Sequence, residues 1–249
     1  MLIENRKGGY SFLKGIAPYS AGAVASPGFQ IERARLSKPL SIAAAFERLD
    51  AHLKTIALPA HALCGMELRS PRPFTFQGFN DFNAGYVTYL EKRGLPVNGL
   101  NPVARTNVAP EIGGPAEPVV YAFSYTVPTQ QTARTFVVAG AGELPEGSLD
   151  PHDVVRRGES SLAALTEKTR FVLGLMEARL HGLKARWDEV NAVNVYTVHN
   201  IGPLLASHIL PGTGQGRHGI TWYYARPPIT SIEYEMDVRG CAREFVLPV

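Results

Sequence analysis

Apolar residues recur at steps of three and four in three stretches of the chain, the spacing that places them on one face of a helix. The first stretch covers residues 41–58, the second centres on residues 82–89, and the longest extends from about Val154 to Leu183. A further short helix is predicted at residues 198–206. We therefore predict one long and one short helix in each half of the chain.

Runs of β-branched and aromatic residues between these helices predict strands. Val119 to Val127 suits a central strand, whereas Ala21 to Leu36 predicts two edge strands joined by a turn at Pro27 and Gly28. The other predicted strands cover residues 61–69, 105–110, 134–141, 189–197 and 227–238.

The same order of elements occurs twice, about 125 residues apart. The strand His61 to Arg69 aligns with Glu189 to Thr197, and each is preceded by a long helix and followed by a short one. A unit of roughly 125 residues is near the common domain size. We predict an α+β fold with two tandem domains, residues 1–128 and 129–249.

Composition narrows the functional class. The 249 residues are 45% hydrophobic and 19% charged, as is typical of a soluble globular protein. No segment has the roughly 18 to 20 apolar residues that span a bilayer, and the N-terminus has no secretory pattern, so we expect a cytoplasmic protein without membrane contact. A net charge of +3 without basic clusters makes nucleic acid an improbable partner.

Two local features carry no specific chemistry. The two cysteines, Cys64 and Cys241, lack the spacing of a zinc site and are interpreted as structural thiols. The glycine-rich stretch Gly212 to Gly219 is not framed by the strand and helix that a phosphate-binding loop needs. No serine-hydrolase or metal motif occurs, so we expect neither a metal nor an organic cofactor.

Three segments resemble the RidA (YjgF-type) imine deaminase family. They are PYSAGAV at Pro18 to Val24, FNDFNAGYVTYL at Phe79 to Leu90 and PVARTNV at Pro102 to Val108. In the second half, FVVAGAGEL, DEVNAVNVYTVHNI and PPITSIEYEMDV are similar to the family's strands. The chain is also distantly similar to the tandem chorismatases.

The resemblance implies a chorismate-mutase-like fold in each domain, a mixed sheet with two helices on one face. It also implies ligand clefts between neighbouring units and a ring of such units. Because two units cannot close that ring alone, we predict a homotrimer with closed symmetry.

The resemblance further implies the site residues. Arg105 would bind a substrate carboxylate, a task that suits the planar fork of guanidinium. Glu233 would act as the acid/base for water, and Tyr19 would form a wall of the cleft. Asn83, Asn107 and Arg217 complete the predicted substrate-binding set.

Structural alternatives stay open for these residues. Arg105 would instead pair with Glu111 or Glu117 at the surface, Tyr19 would only pack, Asn83 would cap its own helix, and Glu233 would be a solvated strand residue. The second half also departs from the family pattern, because Arg217 lies in a glycine-rich loop and His208 stands at the asparagine position. Arg105 and Glu233 therefore have to meet across an interface.

These features predict hydrolytic deamination of an imine or enamine carboxylic acid to a 2-oxo acid and ammonia. Two alternatives remain. One is a hydrolase for a larger unsaturated carboxylate, aminomuconate-like or chorismate-like. The other is a carboxylate-binding module without catalysis, since a fold does not fix a function.

Overall fold

The computed structural model describes residues 1–249. The strands are β1 (Leu2–Asn5), β2 (Tyr10–Leu13), β3 (Gly22–Ala25), β4 (Phe29–Ser41), β5 (Leu63–Arg69), β6 (Ala104–Pro110), β7 (Val119–Pro128), β8 (Phe136–Gly142), β9 (Ala192–Tyr196), β10 (Thr221–Tyr223), β11 (Ala225–Arg226), β12 (Glu235–Gly240) and β13 (Arg243–Leu247). The α-helices are α1 (Ile42–Thr55), α2 (Phe76–Glu91), α3 (Leu162–Gly182), α4 (Gly202–Leu204) and α5 (Leu210–Thr213), and a π-helical turn (Leu205–Ile209) joins the last two.

The strands form two mixed sheets. The first has six strands in the order β11-β6-β5-β7-β4-β13, and α1 and α2 cover one of its faces with an apolar core that includes Phe46, Leu49 and Tyr86. The second has seven strands in the order β1-β2-β3-β8-β12-β9-β10, and α3 covers it with Val172 and Met176. The predicted mixed α+β architecture is therefore confirmed.

Four strands of each sheet repeat one arrangement. In chain order they are β4, β5, β6 and β7 in the first sheet and β8, β9, β10 and β12 in the second. In both sheets the spatial order is third, second, fourth, first, with the second and third strands parallel and the other neighbours antiparallel.

The terminal strands cross between the two halves. β3 pairs with β8 of the second sheet, and β13, near the C-terminus, pairs in parallel with β4 of the first. The division at residue 128 stays a prediction.

Several details of the predicted elements were wrong. Helix α2, predicted as the shorter helix of the first half, has 16 residues against 14 in α1, and the strand predicted over residues 227–238 begins only at Glu235. Ala21 to Leu36 does contain two strands with a turn at Gly28, but neither is an edge strand. β3 lies between β2 and β8, and β4 lies between β7 and β13. The long helix begins at Leu162 and not at Val154, because Ser161 caps it by accepting a hydrogen bond from Ala164 N. None of the helices has the length and apolar character needed to cross a membrane.

The faces of the two sheets that carry no helix pack against each other. Apolar residues of both, among them Phe12, Ile31 and Val137, form one cluster between them. Polar contacts also cross this interface, since Thr106 Oγ1 of β6 donates to Asp237 Oδ2 of β12 over 2.9 Å. This packing brings β6, which carries Arg105, close to β8 and β12.

Candidate active site

A pocket with an empty volume of about 630 Å³ lies where β6, the end of β8 and the start of β12 meet. The polar side chains in its wall belong to Tyr19, Arg105, Asn107, Glu146, Ser148, Arg179 and Glu235. Apolar residues such as Phe79 and Ile232 line the rest. The pocket therefore combines residues from both halves of one chain.

Arg105 is the cation at the base of this pocket. It is only 2% exposed, and its Nη2 donates to Asn83 Oδ1 over 2.7 Å, while Nε and Nη1 have no partner. Its guanidinium carbon lies 4.7 Å from the Tyr19 ring centre and 4.8 Å from that of Tyr86. No carboxylate neutralises it, and Glu111, its proposed surface partner, binds Arg226 instead.

This environment makes Arg105 an anion receptor. Burial lowers the pKa of Arg105, with Tyr86 and Tyr19 acting in the opposite direction, but a guanidinium whose ordinary pKa exceeds 12 stays charged. A buried charge with two free donors is costly unless an anion completes it. A carboxylate oxygen is a suitable acceptor for either of those donors.

Two asparagines support this function. Asn83 of α2 does not line the pocket itself. It contacts Arg105, and its side-chain oxygen orients the guanidinium. Asn107 follows Arg105 by two residues on β6, so both side chains leave the same face of the strand. Its Oδ1 accepts from Ser70 Oγ over 2.9 Å, and this bond leaves Nδ2 as a second buried donor without a partner.

Tyr19, one of the residues named from the sequence, lines the pocket. Its ring lies against the Arg105 guanidinium, which is the geometry of a cation–π contact. Burial raises the pKa of Tyr19, and the nearby Arg105 and Arg179 partly offset that effect. The phenol is therefore neutral near pH 7 and is able to donate a hydrogen bond.

Glu235, the first residue of β12, is the more deeply buried of the two carboxyl groups in the pocket wall, the other being Glu146. Glu235 is 4% exposed, and no protein donor hydrogen-bonds to it. Its side chain lies over the backbone of Gly140, where a Cβ atom would collide with it. Burial, and then the charge of Asp237, raise the pKa of Glu235 well above its ordinary value, although Arg179 and Arg105 act to lower it. Such a shift favours the protonated form of the carboxyl group.

A buried ion pair fixes the chain where it enters β12. The side chains of Lys168 and Glu143 are both fully buried, with Nζ 2.8 Å from Oε1. The same carboxylate accepts the backbone N–H groups of Glu233 and Tyr234 over 2.7 and 3.0 Å. These contacts position the residue that follows, Glu235.

The structure does not bring two of the predicted residues to this pocket. Glu233 accepts from His199 Nε2 over 2.8 Å and is not in the pocket wall. Arg217 is exposed in the loop after α5 and also lies outside the pocket. Arg105 and Glu233 therefore do not meet in this pocket, and the glutamate that lines it with Arg105 is Glu235, two residues further on.

The sequence analysis missed four polar residues of the pocket, namely Glu146, Ser148, Arg179 and Glu235. Glu235 was within reach, since the segment SIEYE offers two glutamates, but spacing alone does not choose between them. Arg179 of α3 and Glu146 of the loop after β8 carried no recognisable signal. The structure contains no group of three or more His, Cys, Asp or Glu side chains arranged to hold a metal ion.

Comparison with known proteins gives the family. The family model described as "2-aminomuconate deaminase CnbZ" matches residues 2–245. The chain belongs to this family. It is 45% identical over 243 residues to the 2-amino-5-chloromuconate deaminase of Comamonas testosteroni, with 96% of both chains covered. These matches do not show the RidA family, which the sequence motifs resembled.

Among solved structures, this CnbZ-family chain is similar to a chorismatase. The TM-score is 0.56 with 11% sequence identity, and the alignment covers 96% of this chain and 79% of the other. At that identity the similarity concerns the fold alone. It confirms the predicted structural likeness to chorismatases.

Proposed function

We propose that the protein catalyses hydrolytic deamination of an aminomuconate-like enamine dicarboxylate, giving a 2-oxo acid and ammonia. Among the predicted activities this is the larger-substrate alternative, and the 45% identity to a 2-amino-5-chloromuconate deaminase supports it over the smaller 2-aminoacrylate. The observation that carries it is a buried arginine with free donors in the same pocket as a buried carboxyl group whose pKa is raised by burial.

Arg105 is proposed to bind the carboxylate attached to the reacting carbon, with Asn107 Nδ2 as an additional donor. The carboxylate would accept from Asn107 Nδ2 and from one of the two free Arg105 donors, Nε or Nη1, which lie on opposite edges of the guanidinium. Each charged hydrogen bond of this kind contributes about 1.5–3 kcal/mol. The substrate would thus be held with its enamine toward Glu235.

Glu235 is proposed as the acid/base. As the neutral acid it would protonate the enamine carbon next to the C–N carbon, which produces an iminium ion and the Glu235 carboxylate. That carboxylate would accept a proton from the water that attacks the C–N carbon, and would return it to the amino group. Ammonia then leaves as the C–N bond breaks, and the remaining hydroxyl gives its proton back to Glu235 as the 2-oxo acid forms.

The test is ammonia and 2-oxo acid production from freshly generated 2-aminomuconate. Glu235→Gln is expected to lower kcat by about 100- to 10,000-fold, the usual range for a general acid/base. Arg105→Lys keeps a charge but loses the planar fork, so kcat/KM should fall. Glu233→Gln is the matched control, because the structure places that glutamate outside the pocket.

Three outcomes would count against the proposal. The first is that the wild-type protein releases no ammonia from any enamine acid while still binding carboxylates, which is the behaviour of a binding module. The second is that Glu235→Gln retains full activity. The third is that Glu233→Gln abolishes activity, which would restore the residue that the sequence favoured.

We further propose that the two repeated units are RidA-like domains and that three chains form the active assembly. The repeated strand order supports the first statement. The preference of homo-oligomers for closed symmetry supports the second. Light scattering on the purified protein should give three times the mass of one chain, and a monomeric mass would refute the trimer.

A further inference from the structure

A second buried arginine in the pocket already holds a carboxylate of its own chain. Arg179 Nε and Nη2 donate to the two oxygens of Glu146 over 2.8 and 3.0 Å, in the paired geometry of a bound carboxylate. Its Nη1 donates to the carbonyl of Ala139 over 2.8 Å. Both Arg179 and Glu146 line the pocket that contains Arg105 and Glu235.

The two partners differ in how firmly they are held. The Arg179 side chain is 8% exposed and is fixed by helix α3 and by the Ala139 carbonyl. The Glu146 side chain is 44% exposed and lies on the loop between β8 and α3, next to Gly147 in the left-handed conformation. Glu146 can therefore exchange its partner for water at small cost, whereas Arg179 cannot.

We propose that Arg179 is the binding site for the second carboxylate of the substrate and that Glu146 occupies this site when substrate is not bound. The inference rests on the proposed function and adds a determinant of specificity to it. A muconate-type substrate carries a carboxylate at each end, and Arg105 can bind only one of them. The charges of both arginines act on Glu235, so the acid lies within range of both anion sites.

This arrangement selects dicarboxylates over monocarboxylates. A dicarboxylate replaces Glu146 with its own distal carboxylate and keeps Arg179 neutralised. A monocarboxylate leaves the Arg179–Glu146 pair in place and gains only the contacts at Arg105. The internal carboxylate also prevents Arg179 from remaining an unpaired buried charge in the free enzyme.

The test is calorimetric binding of trans,trans-muconate and of sorbate, which is the same diene with a methyl group in place of one carboxylate. Neither ligand carries an amino group, so binding is measured without turnover. The wild-type protein should bind muconate more tightly than sorbate. Glu146→Gln removes the competing charge and should tighten muconate binding by about five-fold without changing sorbate binding.

Arg179→Met should weaken muconate binding by about 10- to 100-fold, to the level of sorbate. The control Glu159→Gln alters an exposed ion pair with Arg156 outside the pocket and should change neither affinity. Equal binding of both ligands by the wild type, or an unchanged muconate affinity in Glu146→Gln, would overturn the inference. A protein that passes these tests but releases no ammonia refutes the proposed function alone.

Discussion

Gly140→Ala tests whether the position of the Glu235 carboxyl group determines the rate. A Cβ atom at residue 140 would lie 3.2 Å from Glu235 Cδ, 3.0 Å from Thr106 Cγ2 and closer still to Glu235 Oε1, whereas ordinary contacts begin at 3.4 Å. The Thr106 methyl group is held by the hydrogen bond of its hydroxyl to Asp237. The Glu235 side chain is the group that must move.

The size of that movement sets the expected loss. Restoring an ordinary contact requires the carboxyl group to retreat by roughly 1 Å, a displacement that costs on the order of 100-fold in rate when the group takes part in the reaction. In free energy this is about 2.7 kcal/mol of transition-state stabilisation. We expect kcat for ammonia release to fall by about this factor, and overpacking to lower the free energy of unfolding by about 1–3 kcal/mol.

Gly174→Ala is the matched control, because a Cβ atom at that position of α3 meets nothing within 4 Å. It should keep full activity and should stabilise the helix by up to about 1 kcal/mol. Steady-state kinetics and urea unfolding of both variants separate the catalytic effect from the effect on stability. If folded Gly140→Ala has the wild-type kcat, the Glu235 carboxyl group is not the acid/base.

Three predictions concern buried charges and are measured by urea unfolding. Arg33→Met breaks a paired ion bridge to Glu67, with contacts of 2.5 and 2.8 Å, and should lower the free energy of unfolding by about 3–5 kcal/mol. The control Arg186→Met removes an exposed ion pair and should lower it by less than about 1 kcal/mol, so equal losses in the two variants would contradict the prediction. Lys168→Met leaves its fully buried partner carboxylate unpaired and should also cost about 3–5 kcal/mol, so an unaffected midpoint would refute the pairing. Because the folded-state pKa of Glu235 is raised, the wild-type free energy of unfolding should fall as pH rises above the ordinary carboxyl value of 4.5 toward the raised value. Glu235→Gln lacks this dependence, so its stability relative to wild type should increase from pH 4 to pH 8, and a constant difference would contradict the assignment.

Elements whose stability is local were predictable from the sequence. Helix α1 was predicted from Ser41, and the structure shows that Ser41 caps it by accepting from Ala44 N. The predicted start of α3 at Val154 was wrong because residues 154–161 lack a strong break in the apolar pattern. Gly158 has φ +77° and Arg156 has φ +49°, so the chain there cannot continue as a right-handed helix. A backbone turn of this kind leaves little trace in hydrophobic periodicity.

The distant partners of strands β3 and β4 were not predictable from the sequence. β3 and β4 are joined by a tight turn, and a tight turn usually indicates a hairpin. In the structure each strand pairs elsewhere, β3 with β8 and β4 with β7. These partners are about a hundred residues away along the chain, and local sequence carries no information on which distant strand a half-buried strand will choose.

The candidate site was also predictable only in part. Arg105, Asn107 and Tyr19, which come from two of the segments that resemble the RidA family, lie in the pocket wall, and Asn83 of the third segment contacts the arginine. The choice between Glu233 and Glu235 depends on the backbone contacts of Glu143 with the residues before β12, which fix the direction of each side chain. That information resides in tertiary structure.

Arg105 and Glu235 lie on different sheets and do not form an ion pair with each other. Had they formed an ion pair, Glu235 would occupy donors of the arginine that the substrate carboxylate needs and would itself be ionised, so neither would serve the proposed reaction. The structure instead holds the guanidinium by Asn83 and by aromatic rings, and holds the carboxyl group against Gly140 without a donor. Each group is costly to bury in this state, and such costs persist where function requires them. In an anionic enamine substrate, the carboxylate would accept hydrogen bonds from Arg105 and the enamine carbon would accept the proton of Glu235. Both groups would then have a partner at once.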